Sequence, residues 1–251
     1  AVITAAIEAK VENIIYTSSV VVLGRSNDRF KLITEEDKEK DLRIPYVAGK
    51  INAENWVRAK ISEGYKNIKI LYPSWVVGPG NFKQTPPHQF IEKIVSKPSL
   101  LAIHGGISLV HVDDVAEGHI LCLENREPNG RYILSGHNIT FTHLYRLLAH
   151  RFRKSPPIFT IPSRLIKLIV TLLGPLSPIN KLYANAIIGR YSWYDNSRAN
   201  KIGYKIRELD SILDDIVINI KQQLSGTINL NLLPKLPTER TDKLPPLLIT
   251  G

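Results

Sequence analysis

The stretch that decides the fold is Glu12-Asn-Ile-Ile-Tyr-Thr-Ser-Ser19, which a polar loop separates from a segment beginning at Pro45. Its apolar run predicts a buried strand that ends at the serine pair. Pro45 suits the first turn of a helix, which we expect to run to about Ser62, and residues 67–72 predict the next strand. Because a strand, a crossover helix and a second strand make a parallel pair, the sequence predicts an α/β fold.

Further elements are expected on both sides of this core. A helix-forming segment covers Ala1–Val11, before the first strand. Helical spacing of apolar residues predicts later helices near residues 88–95, 114–124, 141–150, 165–173, 181–188 and 209–223. Short apolar runs predict strands near residues 108–112, 131–134 and 158–161. Asp113, Asp114 and Thr140 are of the types that cap helix N-termini, and we expect them to do so.

The composition narrows the class of protein. With 251 residues, of which 43% are hydrophobic and 22% charged, the chain can bury a full core. Cys122 is its lone cysteine, which rules out an intramolecular disulfide framework and fits a cytoplasmic location. The net charge of +10 is accompanied by no aromatic-basic motif, so we predict no nucleic-acid partner. The histidines lack metal-ligand spacing, and we predict no metal site.

Tyr46 and Lys50 are the first candidates for chemistry. Spaced i, i+4 at the start of the predicted helix, they lie on one face, one turn apart. An ammonium beside a phenol favours the phenolate by Coulomb attraction. Such a tyrosine can exchange a proton with an alcohol oxygen while hydride moves at the attached carbon. Taken alone, this spacing also recurs by chance on solvated helix faces.

The serine pair is the second candidate. Ser18 and Ser19 end the buried strand, and an open α/β sheet binds ligands beyond the carboxyl ends of its strands. A hydroxyl there can hydrogen-bond the substrate oxygen with which Tyr46 exchanges its proton. The alternative is that a strand-end serine merely caps the turn that follows.

Four ordered segments resemble the extended short-chain dehydrogenases, or NAD-dependent epimerases/dehydratases. They are Val11-Glu-Asn-Ile-Ile-Tyr-Thr-Ser-Ser19, Tyr46-Val-Ala-Gly-Lys50, Tyr72-Pro-Ser-Trp-Val-Val-Gly-Pro-Gly80 and Val110-His-Val-Asp-Asp-Val-Ala116. The chain looks most like the branch of dihydroflavonol reductases and 3β-hydroxysteroid dehydrogenases. The resemblance covers about residues 1–223. It implies a Rossmann-like, doubly wound parallel sheet with a smaller C-terminal substrate-binding region, mainly residues 80–110 and 137–205.

Carried over onto this sequence, the resemblance implies a catalytic triad. Tyr46 would be the acid/base. Lys50 would favour the Tyr46 phenolate and hold the nicotinamide ribose. Ser19 would polarise the substrate carbonyl or alcohol, and Ser18 is the less expected choice.

The resemblance also implies NAD or NADP as cofactor. Besides Tyr46 and Lys50, the segment with Pro73, Ser74 and Val76 matches the part of the family that packs on the nicotinamide. The Gly-rich turn that cradles the pyrophosphate, and the residue that selects NAD or NADP, are absent from this sequence. We therefore expect an N-terminal truncation, with the missing part just upstream.

The last residues predict a second unit. Residues 224–245 are rich in Pro, Thr, Asn and Lys, a composition typical of a linker. Leu247-Leu-Ile-Thr-Gly251 looks like the first strand and opening glycine of another such fold. Residues 246–251 are therefore expected to begin a second Rossmann domain, and a circularly permuted single domain is the alternative.

The predicted activity is hydride transfer between NAD(P) and a secondary alcohol or ketone of steroid, flavonol or sugar type. A nucleotide-sugar epimerase or dehydratase would use the same triad, and a non-catalytic NAD(P)-binding scaffold is the rival from another class. We expect Ser155–Tyr191 to cover the small-molecule substrate. Its apolar helix Leu165–Leu173 indicates a hydrophobic substrate or contact with a membrane surface, unless it packs on its own core. Homodimerisation stays open.

Overall fold

The computed structural model describes residues 2–79, 85–96, 101–125, 127, 130–174, 181–225 and 247–250. The helices are α1 (Val2–Glu8), α2 (Pro45–Ser62), α3 (Pro86–Ser96), α4 (Val112–Glu124), α5 (Phe141–Arg151), α6 (Ser163–Leu173), α7 (Lys181–Ile187), α8 (Ser197–Lys201) and α9 (Leu209–Ser225). The strands are β1 (Ile14–Thr17), β2 (Ile68–Pro73), β3 (Trp75–Val77), β4 (Leu101–Ile103), β5 (Gly106–His111), β6 (Arg131–Leu134), β7 (His137–Thr140), β8 (Phe159–Ile161) and β9 (Leu247–Thr250). A 3-10 helix, Val20–Val22, follows β1.

The main sheet has four parallel strands in the order β6-β2-β1-β9. Thr17 of β1 lies opposite Leu71 of β2, and Pro73 of β2 lies opposite Leu134 of β6. The crossover helix α2 joins β1 to β2, as the sequence predicts. Because the strands are parallel and in register, their carboxyl ends meet at one edge of the sheet.

Apolar side chains cover both faces of this sheet. Ile14 and Tyr16 share a core with Val57 of α2, whereas Ile15, between them, shares another core with Val115 of α4. Successive side chains of a strand point to opposite faces, and a parallel sheet is covered by helices on both. This double burial explains why β1 has a continuous apolar run rather than an alternating one.

Residues 247–250, which the sequence predicts as a strand, pair with the main sheet. Leu247 lies opposite Ile14 and Thr250 opposite Thr17, in parallel. Of the predicted linker, residues 224 and 225 end α9, and the rest lies outside the described residues. The assignment of residues 246–251 to a second domain stays a prediction.

A second, smaller region contains a mixed sheet of order β3-β5-β7. β5 is parallel to β3 and antiparallel to β7. Its core packs apolar residues of α3, α5 and α9 against the sheet, among them Ile91, Leu144 and Ile216. None of the helices in the described ranges is long and apolar enough to cross a bilayer.

The N-terminus of α4 corrects one prediction. Its cap is the buried His111, whose Nδ1 accepts a hydrogen bond from the backbone N–H of Asp113 at 3.2 Å. Asp113 and Asp114 lie in the first helical turn, and Asp114 accepts from Nε of Arg207 at 2.8 Å. The prediction that Asp113 and Asp114 cap this helix was wrong. Both lie inside the first turn, and the Asp114 carboxylate pairs with Arg207, a residue distant in sequence. Thr140 does cap α5, as predicted.

Candidate active site

The N-terminal half of α2 carries Tyr46 and Lys50. Pro45 stands at the first helical position, so Tyr46 is in the first turn and Lys50 one turn later. The helix is anchored by Val47 and Val57, both buried. The Tyr46 side chain is 56% exposed, whereas Lys50 is half-buried, and burial lowers the pKa of its ammonium.

Ser19 lies directly beyond the carboxyl end of β1. It is the N-cap of the 3-10 helix, where its Oγ accepts a hydrogen bond from the backbone N–H of Val21 at 3.4 Å. Because the hydroxyl acts there as an acceptor, its own hydrogen can still be donated to a substrate oxygen. The capping alternative and the proposed catalytic role are therefore compatible.

Apolar packing joins the 3-10 helix to α2. Val21 of the 3-10 helix and Ile51 of α2 pack against one buried cluster, which contains Ile44, Val47 and Ala186. The structure thus brings together the elements that carry Ser19, Tyr46 and Lys50. It does so at the edge where an open α/β sheet places its ligands.

Ser18 differs from Ser19 in what its hydroxyl does. The Ser18 side chain is buried and donates to Oε2 of Glu54 at 2.6 Å. This short contact between buried groups is a charge-assisted hydrogen bond. The preference for Ser19 over Ser18 as the residue that faces substrate agrees with this difference.

Glu54 is the member of this region that the sequence analysis missed. Only 4% exposed, it also accepts from the hydroxyl of Tyr72 at 2.9 Å and from Nε of Arg58 at 2.8 Å. The guanidinium of Arg58 in turn donates to the Tyr72 hydroxyl at 3.0 Å. One carboxylate thus links α2 to the ends of β1 and β2. Arg58 pairs with this carboxylate, so it is not buried as an isolated charge.

A signal for Glu54 exists in the sequence. Tyr46, Lys50, Glu54 and Arg58 follow one another at intervals of four, so they form a single stripe along α2. A glutamate and an arginine at this spacing are usually a solvated surface pair. In this protein, the packing of α2 on the sheet places Glu54 and Arg58 towards the interior.

The segment predicted to contact the nicotinamide lies at the carboxyl end of β2. Pro73 is buried, and Val76 packs against the core that contains Val110. The backbone N–H of Ser74 donates to the carbonyl of Leu134 at 3.2 Å, while its Oγ is buried and has no hydrogen-bond partner within the described part of the chain. A buried hydroxyl without a partner fits a site that a polar ligand completes, so these residues are compatible with a dinucleotide.

Comparison with known proteins identifies the class. The model of the NAD dependent epimerase/dehydratase family matches residues 1–135, more than half of the chain. The protein therefore belongs to this family, and its fold is Rossmann-like, as the resemblance implies.

The protein is similar to several known proteins. Tetraketide alpha-pyrone reductase 1 of Arabidopsis thaliana is 26% identical over 190 residues, which are 73% of this chain and 50% of that protein. The putative dihydroflavonol 4-reductase of Synechocystis is 29% identical over 154 residues, 59% of this chain and 44% of that one. The chain thus spans about half the length of these relatives. The crystal structure of gox2253 superposes with a TM-score of 0.74 at 30% identity, covering 88% of this chain and 69% of that one.

Proposed function

We propose that the protein is an NAD(P)-dependent reductase that interconverts a ketone and a secondary alcohol. The observation that carries this proposal is the packing of α2, with Tyr46 and Lys50, on the 3-10 helix that Ser19 caps. Both relatives described above carry the name of a reductase, one of them as putative, which favours net reduction over epimerisation. The proposed substrate is a small molecule of the flavonol, steroid or sugar type.

The proposed chemistry assigns one task to each residue. When bound, the nicotinamide supplies hydride to the carbonyl carbon. Tyr46 donates its hydroxyl proton to the carbonyl oxygen and recovers a proton from solvent afterwards. Ser19 donates a hydrogen bond to the same oxygen and so stabilises the negative charge that develops on it. The Lys50 ammonium favours the Tyr46 phenolate left after proton transfer and holds the ribose.

Turnover of the full-length protein tests this proposal. Purified protein is mixed with NADH or NADPH and a panel of flavonoid, steroid and sugar-nucleotide ketones, and the nicotinamide absorbance is followed. A stoichiometric loss of absorbance with alcohol formation is expected. An epimerase restores its cofactor in every cycle, so product without a change in absorbance would support that alternative. Cofactor binding without conversion of any substrate would support a scaffold.

Lys50→Ala is expected to weaken cofactor binding and turnover together. The proposal gives the ammonium two tasks, one at the ribose and one beside Tyr46, so the Kd for NAD(P)H should rise and kcat should fall, each by about tenfold or more. Fluorescence titration and steady-state kinetics measure the two effects. Unchanged cofactor affinity would contradict the ribose contact. Lys60→Ala, in the last turn of the same helix, is the matched control.

The two serines are expected to respond differently to replacement by alanine. Ser18→Ala removes a donor from the buried Glu54 carboxylate and should lower the free energy of unfolding by about 1–2 kcal/mol. Ser19→Ala loses only a long hydrogen bond at a half-buried cap, so it should lower kcat, by about 10- to 100-fold, more than it lowers stability. Chemical denaturation and kinetics on both variants separate the roles. The reverse pattern would make Ser18 the residue that faces substrate.

A further inference from the structure

Helix α6 turns an apolar face to solvent. Leu165, Leu168, Ile169 and Leu172 recur at helical spacing and are all exposed, Leu172 to 76%. Val170 is the one buried residue of this helix. Packing against the protein core therefore explains the face of α6 that carries Val170. It does not explain the exposed apolar face.

The neighbouring α5 shows how a surface helix of this protein is otherwise built. It buries Leu144 and Leu148 and exposes His143, Arg146 and His150. A polar outer face of this kind is usual for a helix that covers a core. In α6, leucine and isoleucine occupy the positions where α5 has charged and polar residues.

Strand β4 lies beside α6, since Ile103 and Ile166 pack against one buried cluster, and β4 and its partner β8 add two exposed apolar residues. Phe159 of β8, four residues before the helix, is 65% exposed. Leu101 of β4 is directly opposite Phe159 in the parallel pairing of the two strands and is also exposed. We call the exposed residues Leu101, Phe159, Leu165, Leu168, Ile169 and Leu172 the α6 face. Exposed apolar groups gathered in this way mark an interaction site rather than ordinary surface.

The charged residues next to the α6 face in the sequence are basic. Between Pro128 and Tyr194 there are nine lysines and arginines and no aspartate or glutamate, and two of them, Arg131 and Arg151, pair with acidic residues from other parts of the chain. Arg164 and Lys167 lie in α6 itself, and Arg153 shortly precedes β8. Within the described ranges, no ion pair involves any of these three. An uncompensated positive field therefore borders the apolar face.

We propose that the α6 face docks on an anionic phospholipid membrane, with α6 lying in the plane of the interface. A short amphipathic helix with leucine on one side and basic residues beside it binds in this way, and anionic headgroups attract the lysines and arginines. A second copy of this chain fits less well. A two-fold contact through α6 would bring two copies of the same basic helix together, and like charges repel. This proposal goes beyond the reductase activity and does not depend on it.

Co-sedimentation of the full-length protein with sucrose-loaded vesicles tests the proposal. One set of vesicles is pure phosphatidylcholine, and the other contains about a third phosphatidylglycerol. We expect at least tenfold stronger binding to the anionic vesicles, and we expect raised salt to weaken it because the attraction is screened. Equal binding to both sets, or binding to neither, would overturn the proposal.

Paired variants test whether α6 is the docking element. Leu168→Gln with Leu172→Gln, and separately Arg164→Gln with Lys167→Gln, should each reduce binding to anionic vesicles by tenfold or more. The matched controls are Leu32→Gln with Ile218→Gln, which removes two exposed apolar groups elsewhere, and Lys201→Gln with Lys205→Gln, which removes the same charge elsewhere. Both controls should bind as the wild type does.

Two further outcomes would assign the α6 face differently. Vesicle binding that persists in both α6 variants would place the contact on another surface. Sedimentation velocity that shows a dimer in the wild type and a monomer in the leucine variant would assign the face to a second copy. If the leucine variant does not fold, as judged by circular dichroism, the Arg164 and Lys167 variant and the salt dependence still decide the question.

Discussion

Tyr46→Phe is expected to lower kcat by about 10²- to 10⁴-fold while the affinity for NAD(P)H stays nearly unchanged. The change removes only the hydroxyl that the proposed mechanism uses to protonate the substrate oxygen, and the ring that the proposal places beside the cofactor remains. Because the Tyr46 side chain is 56% exposed, the free energy of unfolding should change by less than about 0.5 kcal/mol. Steady-state kinetics, cofactor titration and chemical denaturation of the full-length protein measure the three quantities.

Tyr65→Phe is the matched control for this prediction. Tyr65 is also exposed, but it follows the C-terminal end of α2, at the opposite end of the helix from Tyr46. It should turn over substrate as the wild type does. Equal turnover in Tyr46→Phe would remove the acid/base assignment, and a large loss of cofactor affinity would mean that the hydroxyl binds rather than reacts.

Glu54→Ala is expected to lower the free energy of unfolding by about 3 kcal/mol or more. The variant leaves the hydroxyls of Ser18 and Tyr72 and the guanidinium of Arg58 without their shared acceptor. Each buried donor that loses its partner costs about 1–3 kcal/mol. Arg58 is partly exposed and can turn towards water, so its share should be the smallest. Equilibrium denaturation in urea gives the value.

Two further variants serve as comparisons for the loss of stability in Glu54→Ala. Glu54→Gln keeps the size of the side chain and one acceptor oxygen, so its loss of stability should be smaller than that of the alanine variant. Glu63→Ala removes an exposed partner of Lys60 near the end of the same helix, and it should cost well under 1 kcal/mol. Stability equal to the wild type in Glu54→Ala would show that the network does not hold α2 to the sheet.

The bounds of α2 illustrate what local pattern predicts well. Proline in the first turn predicts a helix from Pro45 to about Ser62, and the structure has the same bounds. β3, β4 and β7, by contrast, were not predicted. β3 and β4 have three residues each and β7 has four. Length alone does not explain this difference, since β6 and β8 are equally short and were predicted. The pairing partners of β3, β4 and β7 lie elsewhere in the chain, so a local pattern does not show them.

The same contrast holds for the candidate site. By itself, the sequence determined the parallel sheet with its crossover helix, and it made the serine pair, Tyr46 and Lys50 candidates, because strand ends and i, i+4 spacing are local properties of the chain. The choice of Ser19, Tyr46 and Lys50 as a triad came from the resemblance to the family. Only the tertiary structure decided that Glu54 would be buried as the acceptor of three donors, and that the leucines of α6 would face solvent. A glutamate or a leucine has the same local pattern whether it faces core or water. Whether the side chain is buried or exposed depends on which distant residues pack against it, and that depends on the whole fold.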